Sequence, residues 1–256
     1  MVHQLVEIPF YMNLYENAEL DIQKHIASYV SDKTVAIYLN TPNNPSGKVL
    51  NKNQLEQIAE VAKLYNLWII SDEAYDGLTF DGHEHISIAT LPEMFQQTVS
   101  VFTFSKIFMF AGLRLGYAVG NVEMIVNLNK IMVHQIYSST IFTQQMMIEP
   151  VRTRHQWMEK VRSHYQLLRD QFVNQSGLSL VKPEATYFTF FSIEEYLNGR
   201  NYDSVINACF EEGVSVAPGA DFGKDFKMFL RVCFTGETPE QLEKGVERLR
   251  NILLNT

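Results

Sequence analysis

Only two cysteines occur in the 256 residues, Cys209 and Cys233, and neither stands in a metal-type spacing. Both lie among apolar neighbours (Ala208-Cys209-Phe210 and Val232-Cys233-Phe234), so buried free thiols in a reducing compartment are expected, and no disulfide framework. No apolar run approaches the roughly 18 residues a membrane span needs. The first residues, MVHQLVEIPF, lack both the basic start and the small-residue cleavage site of a secretory signal. Positive charge is also scarce: 21 Lys and Arg face 29 Asp and Glu, a net charge of -8 that disfavours nucleic acid and anionic membranes as general partners. A cytoplasmic protein is expected. The pair His83 and His85 flanks Glu84, but two histidines in a polar loop are expected to be solvated, and no metal is assigned.

What is present is an ordinary globular composition, 46% hydrophobic and 20% charged, in a chain long enough for one large domain or two modest ones. Short β-type runs alternate with helical patterns in the first part. Residues 34–40 (TVAIYLN), 67–71 (LWIIS), 98–103 and 115–119 read as strands. Residues 51–65 and 122–133 place apolar side chains at helical spacing. Strands that look apolar on both faces and alternate with helices predict a mostly parallel α/β sheet. The character changes after about Pro150. Residues 151–175 form a long charged helix with an apolar stripe. Shorter runs follow at 187–191, 202–212 (helical), 214–217 and 228–234, and a helix over 239–254 closes the chain. The expected organisation is a large α/β domain over 1–150 and a smaller α+β domain over 151–256.

Chemistry gathers at strand ends, where parallel sheets bind their ligands. The turn TPNNPSG (41–47) follows the first strand and can hold an Asn amide still; it also suits a plain turn. Ser71-Asp72-Glu73-Ala74-Tyr75 ends the second strand. The Asp72 carboxylate at the rim of a dry core demands a cationic partner such as a protonated pyridine nitrogen, and a helix cap is the alternative. Tyr75 could donate to a phenolate oxygen of the same ring. Lys106 follows the apolar strand that carries Thr103, where desolvation favours a nucleophilic amine. Arg114 stands between Gly112 and Gly116 as a fork for phosphate. A solvated lysine and a surface arginine are the plainer alternatives. Arg231, alone in the apolar run FLRVCF (229–234), needs an anion: a substrate carboxylate or a structural acid.

In order and kind these segments resemble the class I/II, fold-type I aminotransferases. NTPNNPSG at 40–47, SDEAY at 71–75, FSK at 104–106, GLRLGY at 112–117 and FLRVCF at 229–234 carry the likeness, with Pro218-Gly219 and Phe222-Gly223 as a substrate-side loop. The resemblance spans essentially the whole chain. It implies a pyridoxal 5'-phosphate (PLP) transferase fold and an amino-group transfer from an L-amino acid to a 2-oxo acid in a homodimer of biosynthetic or other amino-acid metabolism. Within it, Lys106 would form the covalent link to the cofactor aldehyde and shuttle the substrate's α-proton. Asp72 would pair with the ring nitrogen, Asn44 and Tyr75 with the 3-oxygen, and Thr103 and Arg114 with the phosphate. Arg231, with Asn44, would take the substrate carboxylate. A PLP lyase on the same scaffold and a non-catalytic remnant are the alternatives. Family members carry a long N-terminal portion with further sheet strands and part of the phosphate cup; the chain resembles one truncated there, with residues 1–9 reading as a mid-domain strand. His134 stands where the aspartate-specific branch has an arginine, so strict dicarboxylate specificity is not expected.

Overall fold

The computed structural model describes residues 6–7 and 21–254; the strand expected over residues 1–9 lies, apart from 6–7, outside the described residues. A short helix α1 (Ile22–Ala27), capped by Asp21, leads into strand β1 (Ala36–Asn40). Helix α2 (Lys52–Leu64) starts at a reciprocal cap, in which Asn51 accepts from the Gln54 amide and Gln54 reaches back to Asn51. Its 3.6-residue stripe, Leu55, Ile58, Ala59 and Ala62, is fully buried against the sheet core. Strands β2 (Trp68–Asp72) and β3 (Thr98–Thr103) join β1 in parallel, the register running Asn40 to Asp72 to Val101.

Strand β4 (Gly116–Gly120) completes the order β1-β2-β3-β4 but runs antiparallel to β3. The 104–115 connection holds no α-helix, and a return that lacks a crossover helix favours an antiparallel neighbour. The sheet is therefore mostly parallel, with one reversed edge. A further correction concerns its faces. Along β1 and β2, Ile37, Leu39, Ile69 and Ser71 are buried on one side, whereas Tyr38, Trp68, Ile70 and, in β3, Val101 are exposed on the other. These two strands are apolar on both faces, yet the described residues cover only one of the two there.

Helix α3 (Val122–Gln135) buries no residue, and α4 (Ile141–Met146) and α5 (Ile148–Arg152) step onward to the long α6 (Arg154–Ser176). Strand β5 (Phe188–Ser192), helix α7 (Tyr202–Glu211), the two-residue β6 (Ala217–Pro218), β7 (Phe229–Cys233) and helix α8 (Pro239–Leu254) complete the chain. The second sheet is antiparallel in the order β5-β7-β6. Of the expected run 214–217 only its last residue enters the ladder; Val214 and Val216 are buried instead in the core. That core, with Phe172, Phe191, Leu230, Val246 and Leu249, also takes in Tyr75, Leu78, Phe80, Ile107 and Phe108, so the ends of β2 and β3 rest on it. Cys209 is buried as expected, but Cys233 is exposed because alternate residues of β7 face opposite ways and its neighbours Val232 and Phe234 take the core side. Among the described residues no helix is long and apolar enough to cross a membrane.

Candidate active site

The parallel strands deliver their last residues to one rim. At the tip of β1, Asn40 accepts from the Asn44 amide at 2.9 Å and donates to the Asp72 carbonyl at 3.1 Å, so it ties the 41–47 turn to β2. Inside the turn, Asn43 accepts from Ser46, and Gly47 donates back to the Asn43 carbonyl at 2.8 Å. Gly47, at φ +71°, in turn accepts from the Glu184 amide at 3.0 Å, which clips the turn to the approach of β5.

Asp72 ends β2 with both carboxylate oxygens engaged. Oδ1 accepts from the Ala74 amide at 3.1 Å and Oδ2 from the Tyr38 hydroxyl at 2.7 Å. Tyr75 is buried and meets Tyr187 edge to face at 5.4 Å. Burial pushes the Tyr75 phenol up, partly offset by its bond to Tyr187 and by the Arg231 charge. Burial raises the Tyr187 phenol as well, and the Lys106 charge opposes it. The Lys106 ammonium lies between these two rings, 5.6 Å from the centroid of Tyr75 and 5.8 Å from that of Tyr187. Its segment is pinned by Trp157, whose indole donates to the Ile107 carbonyl at 2.7 Å.

Asn44, Asp72, Tyr75 and Lys106 line a single open cavity of about 340 Å³, together with Tyr38 and Asn40. Arg231 joins from β7, its guanidinium donating to Asn44 Oδ1 at 3.0 Å and lying 4.1 Å from the Phe188 ring and 4.7 Å from Phe222. With Oδ1 turned to Arg231, the Asn44 NH₂ group is left to donate. Thr103 and Arg114 do not line that cavity. Thr103 Oγ1 accepts from the Ser105 amide at 3.1 Å, and Arg114, in a left-handed turn at φ +51°, donates to the Ala111 carbonyl at 3.0 Å.

Three contributors escaped the sequence reading. Tyr38 and Asn40 share a strand face two residues apart, a signal that needs the β1–β2 register to become meaningful. Tyr187 sits in an aromatic run that nothing distinguishes from core. The histidine loop also needs correction: His85 is not solvated but donates into a buried pair with Glu73 at 2.7 Å, while His83 is exposed. His134 is exposed in the last turn of α3.

Residues 4–249 match the model of the family described as aminotransferase class I and II. The chain belongs to this family. An aspartate aminotransferase of Pyrococcus abyssi is 32% identical over 254 residues, covering 97% of this chain and 64% of the relative. An aromatic-amino-acid aminotransferase 2 of Thermococcus litoralis is 33% identical over 257 residues, with the same coverage. The solved aromatic aminotransferase from Pyrococcus horikoshii superposes with a TM-score of 0.83 at 32% identity, covering 91% of this chain and 63% of that one. This class I and II aminotransferase chain thus spans a little under two thirds of the relatives it matches, and the PLP cofactor is a property of its family.

Proposed function

We propose that this chain carries the reacting face of a PLP-dependent aminotransferase that moves an amino group from an L-amino acid to a 2-oxo acid. The observation that supports it is the donor set around one cavity: an amine, a carboxylate, a phenol and a free amide NH₂ on Lys106, Asp72, Tyr75 and Asn44. These are the groups that an aldehyde, a pyridinium nitrogen and a phenolate oxygen require, so the residues fit the cofactor. When bound, the cofactor supplies an electron sink for the substrate carbanion.

The chain's own residues do the rest. Lys106 Nζ would hold the cofactor at its aldehyde carbon and would take and return the proton at the substrate α-carbon. Asp72 keeps the ring nitrogen protonated through a charge-assisted bond. Asn44 Nδ2 and the Tyr75 hydroxyl hold the 3-oxygen. Thr103 and Arg114 take the phosphate: Thr103 Oγ1 accepts one amide here and keeps its O–H to donate, and Arg114 has given one N–H to Ala111. Arg231, now paired with the Asn44 carbonyl oxygen, takes the substrate α-carboxylate as a two-point fork. Its flanking rings Phe188 and Phe222, and the exposed His134, support a neutral or aromatic substrate over a strict dicarboxylate.

The proposal extends to a homodimer in the cytoplasm, serving amino-acid biosynthesis, and to a cofactor-binding large domain over 1–150 with a small domain over 151–256. The first sheet lies wholly before residue 150 and the second wholly after it, which supports that division. The test is a half-reaction. With an L-amino acid alone, the PLP-loaded protein should release one equivalent of 2-oxo acid per site and stop until a second 2-oxo acid is added. Continuous release of ammonia and 2-oxo acid would contradict transamination and indicate a lyase.

A further inference from the structure

We propose that Tyr38 is a positioning residue for Asp72: its hydroxyl and the Ala74 amide hold the two carboxylate oxygens in place, and so keep the shared proton on the cofactor's ring nitrogen. This rests on the PLP reading given above. Register places the two residues together. Asn40 pairs directly with Asp72 across β1 and β2, and Tyr38, two residues earlier on the same strand face, is the diagonal neighbour. Diagonal Cα separations of about 7–8 Å are beyond short side chains but within reach of a tyrosine. The hydroxyl arrives on Oδ2 at 2.7 Å while Oδ1 holds the Ala74 amide at 3.1 Å.

Two donors on different oxygens fix the plane of a carboxylate, yet each oxygen keeps a second lone pair for another donor. One of these remains for a ring N–H on the cavity side, where Tyr38, Asp72 and Lys106 all contribute to the lining. The Tyr38 phenol, half-buried although the residue as a whole is exposed, is itself pushed well above its ordinary range, by that partial burial first and then by its bond to Asp72 and the carboxylate charge. It therefore stays a donor throughout the working pH range. Donors to a carboxylate favour its charged form. In a carboxylate–pyridinium pair this lowers the carboxylate's pull on the proton, which stays on nitrogen. Without the hydroxyl, the carboxylate becomes the stronger base and is freer to turn, and both changes draw the proton away from the ring.

The experiment uses the full chain loaded with PLP labelled with ¹⁵N in the ring, whose chemical shift reads protonation at that atom without turnover. Wild type should give a protonated-nitrogen shift, and Asp72→Asn the neutral limit. Tyr38→Phe and Tyr38→Leu should both move part of the way toward that limit, by similar amounts, because they share the loss of the hydroxyl while differing in packing. Thermal melting of the unloaded variants reads any purely structural role. A wild-type shift retained in Tyr38→Phe overturns the inference, as does a change seen only in Tyr38→Leu. Failure of the wild type to form any visible cofactor band that Lys106→Ala lacks would instead overturn the PLP reading beneath it.

Discussion

Arg231 shows how one side chain can stand ready for a ligand while satisfied without it. Two aromatic faces flank its guanidinium, and Asn44 Oδ1 accepts one of its N–H groups. Lysine keeps the charge but loses the planar fork and the ring stacking. Arg231→Lys should therefore raise KM for an amino acid roughly tenfold to a hundredfold with a smaller effect on kcat, measured by steady-state kinetics at saturating 2-oxo acid. A second residue, Glu73, has a fully buried side chain directly behind Asp72. Burial pushes its carboxyl up, but bonds from His85, Ser100 and Ser87 with the His85 charge outweigh that and leave it below its ordinary 4.5. A carboxylate with a depressed pKa in the folded state contributes stability at pH above its unfolded value. That contribution is lost as pH falls through the folded value. The chain should thus lose melting temperature on acidification below about 4.5. Ser87→Ala, which removes one donor, brings the folded value closer to the unfolded one and should make that fall smaller and complete at higher pH; identical melting profiles would show that the network contributes nothing.

At the scale of elements, the turn between β1 and α2 is the part of the site most constrained by backbone. Gly47 combines φ +71° with a Cβ position that would stand 2.8 Å from Pro183 Cβ and 3.0 Å from the Ala185 carbonyl. Gly47→Ala should cost roughly 1–3 kcal/mol from the left-handed backbone and the overlap. It should also loosen Asn44, seen as a lower melting temperature together with weaker cofactor retention. Elements with strong local signals were legible in the sequence. The period of α2 and its Asn51 cap, and the apolar β3 running into Lys106, are encoded in consecutive residues. So was the placement of Asn44, Asp72, Tyr75 and Lys106 around one cavity, because each ends or follows a strand. What needed pairing information was not legible. The reversal of β4 follows from how the 104–115 segment returns, Tyr38 matters only through its register with Asp72, and His85 is buried because Glu73 lies twelve residues back beneath it. The phosphate side is the other gap, with Thr103 and Arg114 holding local backbone partners rather than lining the cavity.

Across the whole molecule, the two sheets are coupled by a buried arginine rather than by apolar contact alone. Arg169, in the middle of α6 and with no exposed side-chain area, grips Asp81 through two N–H groups at 2.8 and 2.9 Å. It also donates to the Pro183 carbonyl and to Asp170, and lies over the Phe80 ring. This joins the segment beyond β2 to the approach of β5, beside the Thr79–Ala185 bridge. Arg169→Met keeps much of the volume but takes its donor from the Pro183 carbonyl and leaves Asp81 and Asp170 to Lys182. It should cost roughly 3 kcal/mol in denaturant unfolding, and an unchanged midpoint would show that the coupling lies elsewhere. The central claim, that one ε-amine is set among a carboxylate, a phenol and an amide to take an aldehyde cofactor, is tested most directly by covalent trapping. The chain is incubated with PLP, reduced with borohydride, digested and mapped by mass spectrometry. A single pyridoxyl-phosphate adduct on Lys106, absent in Lys106→Ala and diminished in Asp72→Ala, is the predicted result; adducts scattered over other lysines, or none at all, would contradict the account.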